Sequence, residues 1–166
     1  MKALLAVACA CSIVFGSAAT AGARTAHECR PNRSATPRRE LPAALKFVNG
    51  RLVGDGDLWT IRPGQPAYTV GDNGWTRLKH PWFRLADGQL TIAGRRVDGG
   101  SGTFRADIPP MEAYPRDLNL AIGPGFIPSS LEFSAGGCWK VIARFRESKV
   151  VLYLDVTRAE PGHSPG

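Results

Sequence analysis

The sequence predicts an all-β protein built as a single domain, and three observations predict it. Short apolar runs rich in β-branched and aromatic residues follow one another along the chain, several of them alternating apolar with polar as half-buried strands do. Turn chemistry separates them: Gly54-Asp55-Gly56-Asp57, Asp72-Asn73-Gly74, Asp87-Gly88, Asp98-Gly99-Gly100 and Gly123-Pro124-Gly125. Helical periodicity is almost missing. Strands at this spacing suggest a sandwich or barrel.

Taken in order, the candidate strands are residues 45–49, 58–62, 67–70, 82–85, 89–93, 103–108, 131–134, 138–146 and 150–156, with one helical turn near 42–46. The last two form the clearest signal. Trp139, Val141, Ala143 and Phe145 alternate with Lys140, Arg144 and Arg146, and after a short polar turn the run Val150-Val151-Leu152-Tyr153-Leu154 returns. That pattern is a closing β-hairpin with the first set facing a core.

Residues 1–23 carry the three parts of a secretory signal: Lys2, an apolar run through Phe15, and the small-residue site Ala21-Gly22-Ala23. The run falls short of the roughly 20 residues that span a bilayer. A lipid-anchored reading is set aside, because Cys9 and Cys11 come too early and follow no leucine-led tetrad. The expectation is a secreted or periplasmic chain. Residues 24–42 read as an extended, basic, proline-bearing arm, 43–157 as the sandwich, and 158–166 as a disordered tail.

Loss of the signal leaves Cys29 and Cys138, which an oxidising compartment favours as a disulfide. Closing a loop of about 110 residues is worth roughly 4 to 5 kcal/mol in the chain-entropy model. Zinc is disfavoured, since no histidine stands at ligand spacing from either cysteine. The formal net charge of +7 includes Lys2, so the processed chain carries one less, +6. Its basic residues are scattered, which suggests a solvated surface with at most weak attraction to anionic lipid head groups or wall polymers. No basic-aromatic motif points to nucleic acid, and a monomer is expected.

The motifs that bear on chemistry are sparse. Asp55 and Asp57 in their glycine loop suggest the start of a calcium site, but no further acid follows at loop spacing, so a tight turn is preferred. His27 and His163 lie in the arm and tail, and His80 sits at a loop or strand entrance. Gly99-Gly100-Ser101-Gly102 lacks the Gly-x-Ser-x-Gly order of a nucleophile elbow. No catalytic, cofactor or metal residues are assigned. Among the aromatics, Trp59, Trp82 and Trp139 belong to strand-like runs where burial is the default. Trp75 is the best candidate for a solvent-facing ring, although loop packing is the simpler reading. The proline-rich connection 109–128 is long, and long loops are often functional. Tyr114, Arg116 and Asp117 at its centre join Trp75 as possible binding residues.

Four segments carry a resemblance: Lys79-His80-Pro81-Trp82-Phe83, Leu90-Thr91-Ile92-Ala93-Gly94-Arg95-Arg96-Val97-Asp98, Pro128-Ser129-Ser130-Leu131-Glu132-Phe133 and Gly137-Cys138-Trp139-Lys140-Val141. In this order they resemble a family of small exported bacterial proteins whose last domain carries a Gly-Cys-Trp-x-Val strand. Asp57-Leu58-Trp59 resembles the same family's first strand. The resemblance implies an exported immunoglobulin-like β-sandwich and supplies no catalytic residues. The chain departs from the pattern at Ser134-Ala135-Gly136, where a proline is usual, and at residues 144–149, which read as a longer basic connection. The function expected is a non-enzymatic secreted or envelope binding or structural module, with an envelope protein or glycan as partner. A carbohydrate-binding module using exposed aromatics, or a small envelope enzyme whose site assembles only in the fold, are the alternatives. Changing Cys138 to Ser is expected to cost about 2 to 5 kcal/mol, and an unchanged urea midpoint under oxidising conditions would reject the bridge as a stabilising element.

Overall fold

The computed structural model describes residues 29–64, 68–110, 113 and 125–157. The expected signal, the first residues of the arm, the tail, and Tyr114, Arg116 and Asp117 lie outside the described residues. Two 3-10 turns, Arg38–Glu40 and Ala43–Leu45, precede nine strands. These are β1 (Leu52–Asp55), β2 (Leu58–Ile61), β3 (Thr69–Val70), β4 (Thr76–Arg84), β5 (Leu90–Arg96), β6 (Phe104–Asp107), β7 (Phe126–Phe133), β8 (Gly137–Phe145) and β9 (Ser148–Val156).

All pairings are antiparallel. The first sheet runs β1-β2-β4-β7-β6, with β3 also on β4, and the second runs β5-β8-β9. The sheets pack as a β-sandwich: β9 lies against β1 and β2, and β5 against β6. Between them sits the main core, where Trp82, Leu131 and Phe133 of the first sheet meet Trp139, Val141, Ala143, Phe145, Leu152 and Leu154 of the second. The alternation read in β8 is the alternation found, with every one of its four expected core residues fully buried.

At its β1-β2-β4 end the first sheet is apolar on its other face as well. The doublets Leu52-Val53, Leu58-Trp59 and Trp82-Phe83 send one residue to each side, so Leu52, Trp59 and Phe83 need a second cover. Leu41, Leu45 and Val48 supply it. Residues 45–49 are therefore not a strand: Leu45 closes the turn beginning at Ala43, and the Val48 N–H donates to the Leu45 carbonyl at 3.1 Å. The helical turn expected near 42–46 is this 3-10 turn. The reason for the strand error lies in the spacing, because Leu41, Leu45 and Val48 are four and three apart, which is the period of one helical face.

Residues 29–36 run in no strand yet close the open side of the sandwich between β9 and β1. Asn32 imitates a paired strand: its Nδ2 donates to the Tyr153 carbonyl at 2.8 Å, and its Oδ1 accepts the Tyr153 N–H at 2.6 Å. Ala35 packs on the main core, and the Thr36 N–H donates to the Leu52 carbonyl at 2.8 Å. The strap is tied at its start by the Cys29–Cys138 disulfide, with Cα atoms 5.3 Å apart.

Further boundaries differ from expectation. β7 begins at Phe126, five residues before the expected strand at 131 and inside the connection read as 109–128, and β5 runs on to Arg96. β1 takes in Gly54 and Asp55, which read as turn, and the β1–β2 turn is reduced to Gly56 and Asp57, with Gly56 at φ 51°. β4 begins six residues before the expected start and runs through Pro81. The Pro81 carbonyl accepts from Thr60 Oγ1 at 2.5 Å, so its nitrogen also faces β2, whose register ends at Thr60 opposite Trp82. No ladder donor is required there, the condition on which a sheet tolerates proline. The connection 144–149 is compact, since Phe145 pairs with Ser148 and only Arg146 and Glu147 turn. Arg146 takes φ 53°, the sign that two-residue hairpin turns demand.

Gly94 marks where the two sheets approach at the β5–β6 side. A Cβ there would lie 2.5 Å from the Phe104 ring. Gly94→Ala is accordingly expected to cost about 1 to 3 kcal/mol, the usual range for overpacking. Repeating it on a Phe104→Ala background should remove most of that cost, as chemical denaturation of the four proteins of the cycle would reveal.

Candidate functional site

Of the residues the sequence proposed for binding, only Trp75 is described. It follows the β3–β4 turn, where Asn73 Oδ1 accepts the Trp75 N–H at 3.0 Å and Gly74 takes φ 74°. The ring is half-buried, and the Arg105 guanidinium sits over it at 4.6 Å from the centroid, in cation–π range. One face of the ring is thus already covered. Trp82 and Trp139 are fully buried and Trp59 nearly so, as the strand reading required.

A polar cluster that sequence reading did not assemble lies inside the sandwich. On β4, His80 points the same way as Leu78 and Trp82, into the interior, where its ring meets the edge of Trp82 at 4.9 Å between centroids. Thr60 of β2 lies 2.6 Å from His80 Nε2 through Oγ1. A threonine has one hydroxyl proton, and the Pro81 carbonyl takes it. His80 Nε2 is therefore the donor to Thr60, which fixes a neutral Nε2–H tautomer. Ser129 of β7 does the same: its Oγ donates to the His80 carbonyl at 3.0 Å and accepts Trp82 Nε1–H at 3.0 Å. Both hydroxyl protons are committed to main-chain carbonyls, so neither oxygen is poised as a nucleophile. The pairing was invisible in sequence, where Thr60, His80 and Ser129 are far apart and carry no motif.

Burial lowers the His80 pKa to about 4. Beside it, between the end of β2 and the start of β3, a cavity of about 450 Å³ opens, walled by Ile61, Pro63 and Leu78 and edged by Arg62, Lys79 and His80. A second tuned group anchors the disulfide. The Arg96 guanidinium, donating through Nη2 to Asp98 Oδ2 at 3.0 Å, heads the causes that hold the Asp98 carboxyl down to about 2. The Gly100 and Cys138 N–H groups each donate to it at 3.1 Å. Asp98 thus pins the entry of β8, one bond from the bridge. Burial, and then the Asp155 carboxylate, pushes the Tyr68 phenol upward.

The outer face of the second sheet has a different character. Because Trp139, Val141, Ala143 and Phe145 point inward, Lys140, Ile142 and Arg144 point outward, as do Lys149, Val151, Tyr153 and Asp155 of β9 and Thr91, Ala93 and Arg95 of β5. Register sets them in rows. Arg95 is opposite Lys140, which is opposite Tyr153; Ala93, Ile142 and Val151 form the next row; Thr91, Arg144 and Lys149 the last. Arg30 of the strap lies over the Tyr153 ring at 5.7 Å. Apart from the strap at the Tyr153 end, no layer formed by the described residues lies over this face. None of its four strand cations has an ion pair among the described residues, whereas Arg77, Arg84, Arg96 and Arg146 are paired with Glu132, Asp87, Asp98 and Asp57. Strand register brings four of the basic residues, Arg95, Lys140, Arg144 and Lys149, onto this face, while the others stay spread over the rest of the molecule.

Among the described residues no group of histidine, cysteine, aspartate and glutamate is placed to hold a metal ion, and no helix is long and apolar enough to cross a membrane. Comparison with models of protein families, with curated proteins and with solved structures finds no match to this chain.

His80 yields a prediction with a definite sign. Its folded pKa of about 4 lies below the ordinary 6.5, so the unfolded chain takes up the proton first. The stability it contributes is full above pH 6.5 and is lost as pH falls toward 4, by about 3 kcal/mol if the whole shift is realised. Urea midpoints between pH 7 and 4 are expected to fall less steeply for His80→Gln than for the wild type. Parallel profiles would refute a buried neutral histidine.

Proposed function

We propose that the protein is a secreted or periplasmic, non-enzymatic binding module on an immunoglobulin-like sandwich. The strand order supports the fold reading. With β2, β4, β5, β6, β7, β8 and β9 taken as seven successive strands, the sheets run first-second-fifth-fourth and third-sixth-seventh, the arrangement of an immunoglobulin constant domain. β1 is an added edge strand. Two departures are distinctive: the core tryptophan on β8 is the neighbour of the bridge cysteine, and that cysteine bonds outside the sandwich rather than across it. The four segments that resemble the exported bacterial family fall on β4, β5, β7 and β8, and they supply core residues such as Trp82, Leu131, Phe133 and Trp139. A disulfide agrees with an oxidising compartment.

One observation carries the binding role: a three-stranded face whose four strand cations have no ion pair among the described residues and whose middle row, Ala93-Ile142-Val151, is apolar. The polar cluster around His80 supports the non-enzymatic half, because its hydroxyls are locked to carbonyls. The sugar-stacking alternative has less behind it, with Arg105 on the Trp75 ring. Immobilised protein is expected to retain material from a bacterial envelope extract at physiological ionic strength. Ile142→Asp, at the centre of the face, should abolish retention, and Lys79→Asp, on the outer side of the first sheet, should leave it intact. Retention indifferent to both changes would remove the face from consideration.

A further inference from the structure

We infer that the outer face of β5-β8-β9 docks on an anionic lipid surface. The inference rests on the binding reading above and names the partner's class. Two cross-strand contacts carry it. Arg95 stands directly opposite Lys140, and Arg144 directly opposite Lys149. Like charges in such register repel across roughly 5 Å, so each pair is destabilising in the isolated protein. Among the described residues neither pair forms an ion pair with an acid: Asp98 borders the same hollow as Arg95 and Lys140 but is held by Arg96, Asp155 lies in the row beyond Tyr153, opposite Cys138, and Glu147 belongs to the turn beyond Lys149. A surface that keeps two such pairs unrelieved is complementary to an array of negative charge outside the molecule.

The shape of the array favours a bilayer over a single polymer strand. At about 3.4 Å per residue, the two cation rows lie about 14 Å apart along the strands. Arg95, Lys140 and the strap's Arg30 mark one end and Arg144 and Lys149 the other, with the apolar row between them. The cations therefore occupy two dimensions of a flat face, with small apolar side chains positioned to touch the head-group boundary while the long basic side chains reach lipid phosphates. A linear polyanion laid along β8 would meet both rows but would gain nothing from the apolar row between them.

Co-sedimentation with vesicles of phosphatidylethanolamine and phosphatidylglycerol, set against vesicles of phosphatidylcholine alone, tests this. The protein is expected to partition onto the anionic vesicles only, and less as salt rises. The fourfold variant Arg95→Gln, Lys140→Gln, Arg144→Gln, Lys149→Gln should lose about a hundredfold or more in partition. A control removing the same charge elsewhere, Arg39→Gln, Lys46→Gln, Arg51→Gln, Lys79→Gln, should lose about tenfold or less, from net charge alone. The face variant should also unfold at an unchanged or higher temperature, since repulsion is removed; a fall would overturn the repulsion argument. Equal losses in the two variants, or equal binding to phosphatidylcholine, would overturn the docking face. Face-dependent binding to inorganic polyphosphate without vesicle binding would overturn the lipid assignment while leaving a binding module standing. Failure with vesicles, with polyphosphate and with envelope extract together would end both.

Discussion

A sheet that is apolar on both faces must be covered twice, and the end of the first sheet formed by β1, β2 and β4 is such a sheet. The second sheet covers one side. Leu52, Trp59 and Phe83 on the other side are left to Leu41, Leu45 and Val48, which arrive from the chain's N-terminal segment. That segment has few main-chain bonds of its own, so it is held by substitutes for a strand. Asn32 gives β9 the two hydrogen bonds a neighbouring strand would give, Thr36 reaches β1, and the disulfide fixes the start. Occupying β9 at Tyr153 in this way also interrupts an edge that would otherwise be open to pairing with another chain.

The double cover makes the molecule asymmetric. One sheet spends both faces on packing at its β1-β2-β4 end, and the other spends only one. Charge collects where no layer lies above it: on the β4-β7-β6 part of the first sheet, where Arg77 pairs with Glu132, and on the outer face of β5-β8-β9, where the cations face one another. The cost is small, a few tenths to about 1 kcal/mol for each like-charge pair, against cores that include Trp139, Phe145 and Phe133 buried without exposure. Burial of the inward row and repulsion in the outward row are two consequences of the same alternation in β8. Strengthening one strand pattern for the core sets the cations at every second position outside it.

How far this was legible in the sequence depends on the distance over which each feature is encoded. The β8–β9 hairpin and its inward residues are local, carried by alternation within each strand, and they are found as read. The two-sided burial of the first sheet was present in the doublets Leu52-Val53, Leu58-Trp59 and Trp82-Phe83, but a doublet does not say which face each residue takes. The layer above it was written in the spacing of Leu41, Leu45 and Val48, too short a stretch to separate from a strand beginning at Leu45. The expected strand begins at residue 82, just after Pro81, whereas β4 runs through that proline, because its lack of a donor matters only when a partner strand faces its nitrogen, and that depends on where β2 ends. The His80 cluster and the basic face are products of register. Thr60, His80 and Ser129 meet only after β2, β4 and β7 pair, and Arg144 meets Lys149 only because the intervening turn has two residues rather than the longer connection expected.

That turn ties the local geometry to the surface chemistry. With Arg146 and Glu147 alone in the turn, Phe145 and Ser148 pair, and every outward residue of β8 acquires a fixed partner on β9. Lengthening the turn by one residue would slide one strand against the other and send Lys149 inward, since side chains alternate with a period of two. The left-handed conformation of Arg146 therefore helps set which charges face one another. At the other end of the face the disulfide has the same role by a different bond. Cys29 holds the strap at Cys138, and its neighbour Arg30 then lies over Tyr153, in the row of Arg95 and Lys140. A covalent bond whose obvious effect is to secure the N-terminal cover thereby also adds a fifth cation to the opposite side of the molecule, so that the packing of the first sheet and the charge of the second rest on one anchor.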